Sequence, residues 1–427
     1  MNDFSLIKNT KNKLCFIKGY LNRIFTISKL KKFKLSKSYN QIEIKDIYEE
    51  SKNQINNKQK IIKKRNAGVD LIRIVSMLGI VYVHVLSKGN VTYKYNRYKS
   101  KINSSISYVF WHNNAFSLIS DVISNKSTKY SNLLYLWLCV VFYSVCIRYY
   151  YLKYKKVERV IGRLYQEFSP VIHGRYWYVS SYFGMFIFLP VINKGIPYLN
   201  KSEFKLLVMS IVGIFIIWNN YFFNKKDYFI MNRGYSPICL LYLYIIGAYI
   251  KNFNKEYSGT KRYIISLIYF FIFISLGYIY NQYSDYKISD FSRNYKTKLR
   301  NFIKRLLSNN LNGTIRTTQA ILITSFFLQL KYNEFISKFI TFFGQLTFGV
   351  YLIHNNDNVA NYYIRKIFNG QPDNLTSKEV IQLLILKSIK IFIECIIIEY
   401  LRNLLFNILK IRNICLFIEK VVFKIVS

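Results

Sequence analysis

The run Val69-Asp70-Leu71-Ile72-Arg73-Ile74-Val75-Ser76-Met77-Leu78-Gly79-Ile80-Val81-Tyr82-Val83-His84 places a guanidinium and an imidazole in an otherwise apolar stretch. Arg73 and His84 are eleven positions apart. On an α-helix that is three turns plus roughly 20°, so both project from one face, roughly 16 Å apart along the axis. A neutral imidazole is suited to take a proton from a hydroxyl near neutral pH. A guanidinium holds a phosphate or a polarised carbonyl through paired hydrogen bonds. Each residue also has a structural reading. Arg73 is three positions from Asp70, so it can pair with it on the helix surface and snorkel towards water. His84 lies near the far end of the run, where an interfacial histidine is ordinary.

Only four histidines occur in the chain. His354 closes the apolar run Phe348-Gly349-Val350-Tyr351-Leu352-Ile353 and is followed by Asn355 and Asn356. A histidine there is either functional or a structural feature of a helix end. His173 precedes Gly174-Arg175-Tyr176-Trp177-Tyr178, which has the composition of an interfacial aromatic belt. His112, Asn113 and Asn114 either line a polar cavity or satisfy backbone. Glu394 and Glu399 lie in the last apolar run, with Arg402 three residues from Glu399. Intramembrane charges usually pair, so Glu399 and Arg402 read as a structural pair. No GxSxG elbow, HExxH zinc motif, Walker loop or GxGxxG stands out. The six cysteines include no CxxC pair, so neither a disulfide framework nor a zinc site is expected.

These groups need long apolar elements to hold them. Of 427 residues, 52% are hydrophobic and 18% aromatic, yet there are 62 Lys+Arg. A mean hydropathy of +0.10 with so many charges means that the apolar residues are clustered. The candidate spans are 68–86, 104–123, 131–151, 176–195, 204–223, 235–252, 262–281, 315–332, 339–358 and 380–406. A helix satisfies its own backbone in lipid, so the expected fold is all-α, a polytopic bundle of about ten transmembrane helices. The weakest span is 104–123, whose His112, Asn113, Asn114 and Asp121 suit an irregular segment buried against other helices. Residues 1–65 read as a basic cytoplasmic extension, 66–410 as the membrane domain, and 411–427 as an amphipathic tail. The formal charge of +41 sits mainly between the apolar blocks. It suits loops beside anionic lipid headgroups and argues against a nucleic-acid partner.

Five blocks in order resemble the integral-membrane acyltransferase family 3. In Asp70–His84, Arg73 and His84 match the family's Arg-x10-His signature. Asn113–Ser120 is similar to its Asn-Cys-Phe-x-Leu-Ile-Ser-Gly stretch, and Tyr176–Ile196 to its Tyr-Trp-Phe…Tyr…Pro…Asn block. Tyr242–Lys251 and Leu346–Asn356 complete the series. There are departures. Asp121 and Val122 stand where the family has Gly-Tyr, and Lys129-Tyr130-Ser131-Asn132 stands where it often has Arg-x-x-Arg. A donor held by that arginine pair would here need another basic group.

The resemblance implies transfer of an acyl group, commonly acetyl, from acyl-CoA to a sugar hydroxyl of a surface glycan. His84 and Arg73 are then the catalytic candidates. Asp70, Asn114, Ser120, Tyr176, Trp177, His354 and Asn355 are the substrate-binding candidates. No metal and no bound cofactor are expected, and acetyl-CoA or another acyl-CoA enters as donor substrate. The expected partners are this donor, a glycan or glycolipid acceptor, and membrane lipid. The expected place is the plasma or inner membrane, crossed several times. A glycan or lipid-linked sugar transporter is the competing reading, because it shares spans, aromatics and intramembrane charges.

Overall fold

Asn66 opens the first helix by accepting a hydrogen bond from the Gly68 amide at 2.9 Å, which satisfies one of the backbone donors a helix start leaves over. The computed structural model describes residues 66–106, 109, 111–123, 129–155, 164–218, 227, 229–253, 259–285, 313–369 and 371–426. No strand occurs among the described residues, and the fold is all-helical. The expected basic extension, residues 1–65, and most of the basic loop 282–312 lie outside the described residues.

The longer helices are α1 (Ala67–Lys88), α2 (Lys99–Ile106), α3 (His112–Ile123), α4 (Tyr130–Lys153), α5 (Trp177–Phe186), α6 (Leu189–Gly195) and α7 (Lys201–Ile211). They continue as α8 (Pro237–Phe253), α9 (Gly259–Asp285), α10 (Thr314–Gln329), α11 (Glu334–His354), α12 (Ser377–Ile408) and α13 (Ile411–Val426). α1 is central and packs against α3, α10, α11 and α12. In its most apolar eighteen-residue window 61% is buried, against 28% in α4 and 22% in α9, so those two helices are peripheral. One apolar cluster joins the second half of α1 to α4, α11 and α12. Another joins its first half to α3, α8 and α10.

Four helices are long and apolar enough to cross a membrane by length and composition: α1, α4, residues Thr260–Tyr278 of α9, and α11. A fifth span results if α5 is joined to Leu189–Tyr198 across a 55° bend. Pro190 sits in the first turn after that bend, where its missing N–H costs no intrahelical bond. The other expected spans are helical but fall short of that test. The 104–123 run breaks into α2 and α3, because His112 and Asn114 are buried against neighbouring helices. α8 and α10 have 17 and 16 residues. The 204–223 run is the 11-residue α7 followed by a π-helical stretch, Val212–Trp218, and its last residues lie outside the described ones. α12 is 32 residues long, but Lys387, Lys390, Glu394, Glu399 and Arg402 interrupt it.

α11 makes its closest contacts where it has no side chain. Gly344 lies against the Asp70 side chain of α1, and Gly349 against the Glu399 carboxylate of α12. Small residues let helices approach closely in this way. Glu399 pairs with Arg402, as the sequence led one to expect, through Nε at 3.1 Å and through Nη2. Tyr143 donates to Glu399 at 2.5 Å, and Arg402 donates to the Tyr135 hydroxyl at 2.9 Å.

α12 starts on a capping box. The Thr376 hydroxyl accepts from the Glu379 amide, and the Glu379 carboxylate accepts from the Thr376 amide at 2.7 Å. Those bonds hold the Glu379 carboxyl below its ordinary range. A lowered folded value means that the contribution is present above the unfolded value and is lost as pH falls through the folded one. Thr376→Ala should therefore weaken the start of α12 by about 1 kcal/mol. It should also reduce, without abolishing, the acid-side dependence of amide-exchange protection in the first turn, because the amide of residue 376 still donates to Glu379 while the hydroxyl's bond is lost.

Candidate active site

The end of α11 is built to hold one side chain still. A helix end leaves backbone carbonyls without partners, and here side chains from other elements supply them. Tyr176 donates its hydroxyl proton to the Leu352 carbonyl at 3.1 Å. Lys88, in the last turn of α1, donates to both the backbone carbonyl and the side-chain oxygen of Asn355, each at 3.0 Å. Asn356 donates to the Tyr176 hydroxyl at 3.1 Å and caps the turn that follows. Around this end, buried Glu167 pairs with Arg148 at 3.5 Å and with Arg175, which also reaches Asp357 at 4.0 Å.

Held at that end, His354 is fully buried. Its Nδ1 lies 2.6 Å from the Val350 carbonyl, and its Nε2 lies 3.0 Å from Nδ1 of His84. A carbonyl only accepts, so Nδ1 of His354 carries the proton. A fully buried imidazole without a counter-charge is neutral, which leaves Nε2 of His354 as acceptor. Nδ1 of His84 is then the donor, and Nε2 of His84 keeps its lone pair. The hydrogen-bond network thus assigns both tautomers. Nε2 of His84 has no hydrogen-bond partner among the described residues. This is the arrangement of a general base oriented by a second group through its other ring nitrogen.

His84 lines a narrow cleft together with Gly79, Ile80, Val83, Val109, His112 and Asn113. His112 is buried, stacks on Trp111 with ring centroids 4.1 Å apart, and rests its Nε2 edge on Gly79. A Cβ at residue 79 would occupy the place of that ring. Gly79→Val is accordingly expected to cost about 1–3 kcal/mol by overpacking. It should show as a lower thermal midpoint in detergent, whereas Gly195→Val, where nothing lies within 4 Å, should leave the midpoint near that of the parent.

The structure gathers His84, His354, Asn355 and Tyr176 around the end of α11. It does not bring the other candidates there. Arg73 pairs with buried Asp70 at 2.9 Å, near the opposite end of α1, and does not line the cleft. Asn114 donates to Thr317 at 3.3 Å and joins α3 to α10. Trp177 packs edge-on against Tyr178 and Tyr235. Ser120 lies on α3, and its side chain is outside the described ones. His173 is exposed beside Ser169 and Tyr165. Sequence reasoning missed Lys88, although it stands one helical turn beyond His84 on the same face. It also missed Glu167, because nothing in the sequence links Arg148, Glu167 and Arg175. Among the described residues no three His, Cys, Asp or Glu side chains converge as metal ligands.

A family model described as an acyltransferase domain, that of acyltransferase family 3, matches residues 66–398, from the cap of α1 into α12. The chain therefore belongs to this acyltransferase family. Comparison with curated proteins and with solved structures gives no match.

Proposed function

We propose that the chain is a multi-pass membrane O-acyltransferase of the cell membrane. In this reading it moves an acyl group, acetyl in the first instance, from acyl-CoA to a sugar hydroxyl of a cell-surface polysaccharide or its lipid-linked precursor. The observation that supports the reading is the contact of Nδ1 of His84 with Nε2 of His354 at 3.0 Å, at a histidine that lines the cleft.

Nε2 of His84 takes the proton of the acceptor hydroxyl as its oxygen attacks the thioester carbonyl. The carbonyl oxygen gains the negative charge, and the Asn113 side-chain amide, which also lines the cleft, donates to it. The tetrahedral intermediate then breaks its C–S bond. The leaving sulfur takes the proton from Nε2 of His84, which restores the base, and the new ester leaves on the acceptor. His354 keeps the ring in the productive tautomer throughout. Arg73 is three turns of α1 from the base, a separation that suits a hold on the remote phosphates of a long donor. Asp70 orients that guanidinium through their 2.9 Å pair. Lys88 and Tyr176 act as positioning residues, because they fix the helix end that carries His354.

Acceptor-dependent thiol release tests the reading. Purified protein in detergent, given acetyl-CoA and surface glycan from a strain lacking the gene, should free CoA only when the glycan is present. Mass analysis of that glycan should then show added acetyl groups. Movement of glycan across a vesicle with no CoA consumed would instead point to a transporter.

A further inference from the structure

α13 has three different faces. Arg412, Cys415, Glu419 and Phe423 share the one turned towards the protein. Arg412 donates to the Asn132 side chain at 3.5 Å and lies over the Tyr135 ring, Phe423 meets the Tyr130 ring edge-on, and Cys415 is buried. Ile414, Phe417, Ile418, Val421 and Ile425 recur at helical spacing and form an exposed apolar stripe, with Phe417 67% exposed. Asn413, Lys420 and Lys424 make an exposed polar edge beside it. The helix carries Arg412, Lys420 and Lys424 against a single carboxylate, Glu419.

Its contacts with α4 fix how it lies. Arg412 and Phe423 are about 16 Å apart along the axis of α13. Their partners, Tyr130, Asn132 and Tyr135, fall within about 7.5 Å along the axis of α4. α13 therefore crosses the start of α4 instead of running beside it. α4 has exposed tyrosines at both ends, Tyr130 at its start and Tyr149 and Tyr150 near its close. Tyr130 and Tyr150 stand about 30 Å apart along the axis, which is the thickness of the hydrocarbon core, and tyrosine is enriched at both of its boundaries. A helix laid across the Tyr130 end lies in one of those boundaries. With 16 residues, α13 is also too short to span. Lys410, at a φ of 50°, turns the chain from α12 into it.

We propose that α13 lies flat in this boundary of the bilayer, with its apolar stripe set among the acyl chains and Lys420 and Lys424 holding anionic lipid headgroups. An apolar stripe open to water is costly, and acyl chains relieve that cost. Lysines at the border reach the headgroups while their stems stay on the apolar side. The excess of cations selects anionic over zwitterionic lipid. No residue of α13 lines the His84 cleft, so the assignment does not depend on acyl transfer.

The test uses full-length protein in nanodiscs that hold one copy each, with an environment-sensitive fluorescent amino acid in place of Phe417 or, in a second preparation, of Asn413. Lipids with a nitroxide near the headgroup should quench the probe at 417 more strongly than lipids with a nitroxide at the chain end, and the probe at 413 should be quenched less than the one at 417. Stronger quenching from the chain end would mean that α13 dips into the core, and no quenching at 417 would mean that water or protein covers the stripe; either overturns the proposal. Loss of quenching in discs that hold two copies would give the stripe to a second copy and overturn it as well. Brominated phosphatidylglycerol should quench the 417 probe as though enriched about fivefold or more over brominated phosphatidylcholine. In the double variant Lys420→Gln, Lys424→Gln that preference should fall below about twofold, while quenching by phosphatidylcholine persists because the helix keeps its place. A preference unchanged by the double variant, or none in the parent, overturns the headgroup assignment.

Discussion

Alanine in place of His84 is expected to lower acyl transfer by about 10²–10⁴-fold, the usual contribution of a positioned general base, while membrane insertion is kept. The substitution removes the ring proposed as the base. It leaves α1 intact, because His84 makes one side-chain bond, to His354, and lies in the last two turns of its helix. Added imidazole should restore part of the rate, since deletion of the ring leaves a space of its own shape beside His354. Thiol release and glycan mass, measured at matched protein level, read the outcome. Full activity in His84→Ala would end the assignment of the base, even if the family membership stands.

The largest effect on stability belongs to a different pair. Arg402→Ala should destabilise the protein by about 3–5 kcal/mol, because it strands the buried Glu399 carboxylate. Glu399 is 2% exposed, and the residues that remain beside it, Tyr143 and Gly349, supply no compensating positive charge. Tyr135 also loses its bond from Nη1. Replacing both partners by methionine should cost less than the single change, because removing both charges avoids an uncompensated one. Thermal unfolding in detergent with tryptophan fluorescence compares the two. A double variant less stable than Arg402→Ala would contradict the argument.

The long apolar helices and the Asp70–Arg73 pair were legible in the sequence because both follow from periodicity. The spacing of Asp70, Arg73 and His84 predicted one pair, which is present, and one face. It could not predict that Arg73 lies outside the cleft at His84, since a straight helix carries side chains of one face to different neighbours along its length. His354 was singled out by type and setting, but its partner is 270 residues away, and no local pattern carries that separation. The expectation of about ten spans rested on the length of the apolar runs, with 104–123 set apart as an irregular segment buried against other helices. α3 and α10 are shorter because their polar side chains, Asn114 and Thr317 among them, meet each other. An apolar residue next to lipid and one next to another helix look the same in a hydropathy profile. His112 was read as either cavity lining or backbone support; it borders the cleft and stacks on Trp111.

The bare backbone of α11 sets a length that the chain is not free to change. Gly344 meets Asp70, Gly349 meets Glu399, and His354 meets His84. These three meeting points are spaced five residues apart, and each step turns the helix by about 140° beyond a full revolution. One residue gained or lost between the first and the last would swing everything beyond it by about 100°. The glycines would then present side chains of their neighbours to the two carboxylates, and the imidazole would leave its mate. Insertions and deletions among descendants of this sequence must accordingly accumulate in the connecting segments, with the interval from 344 to 354 kept as a fixed ruler between three helices.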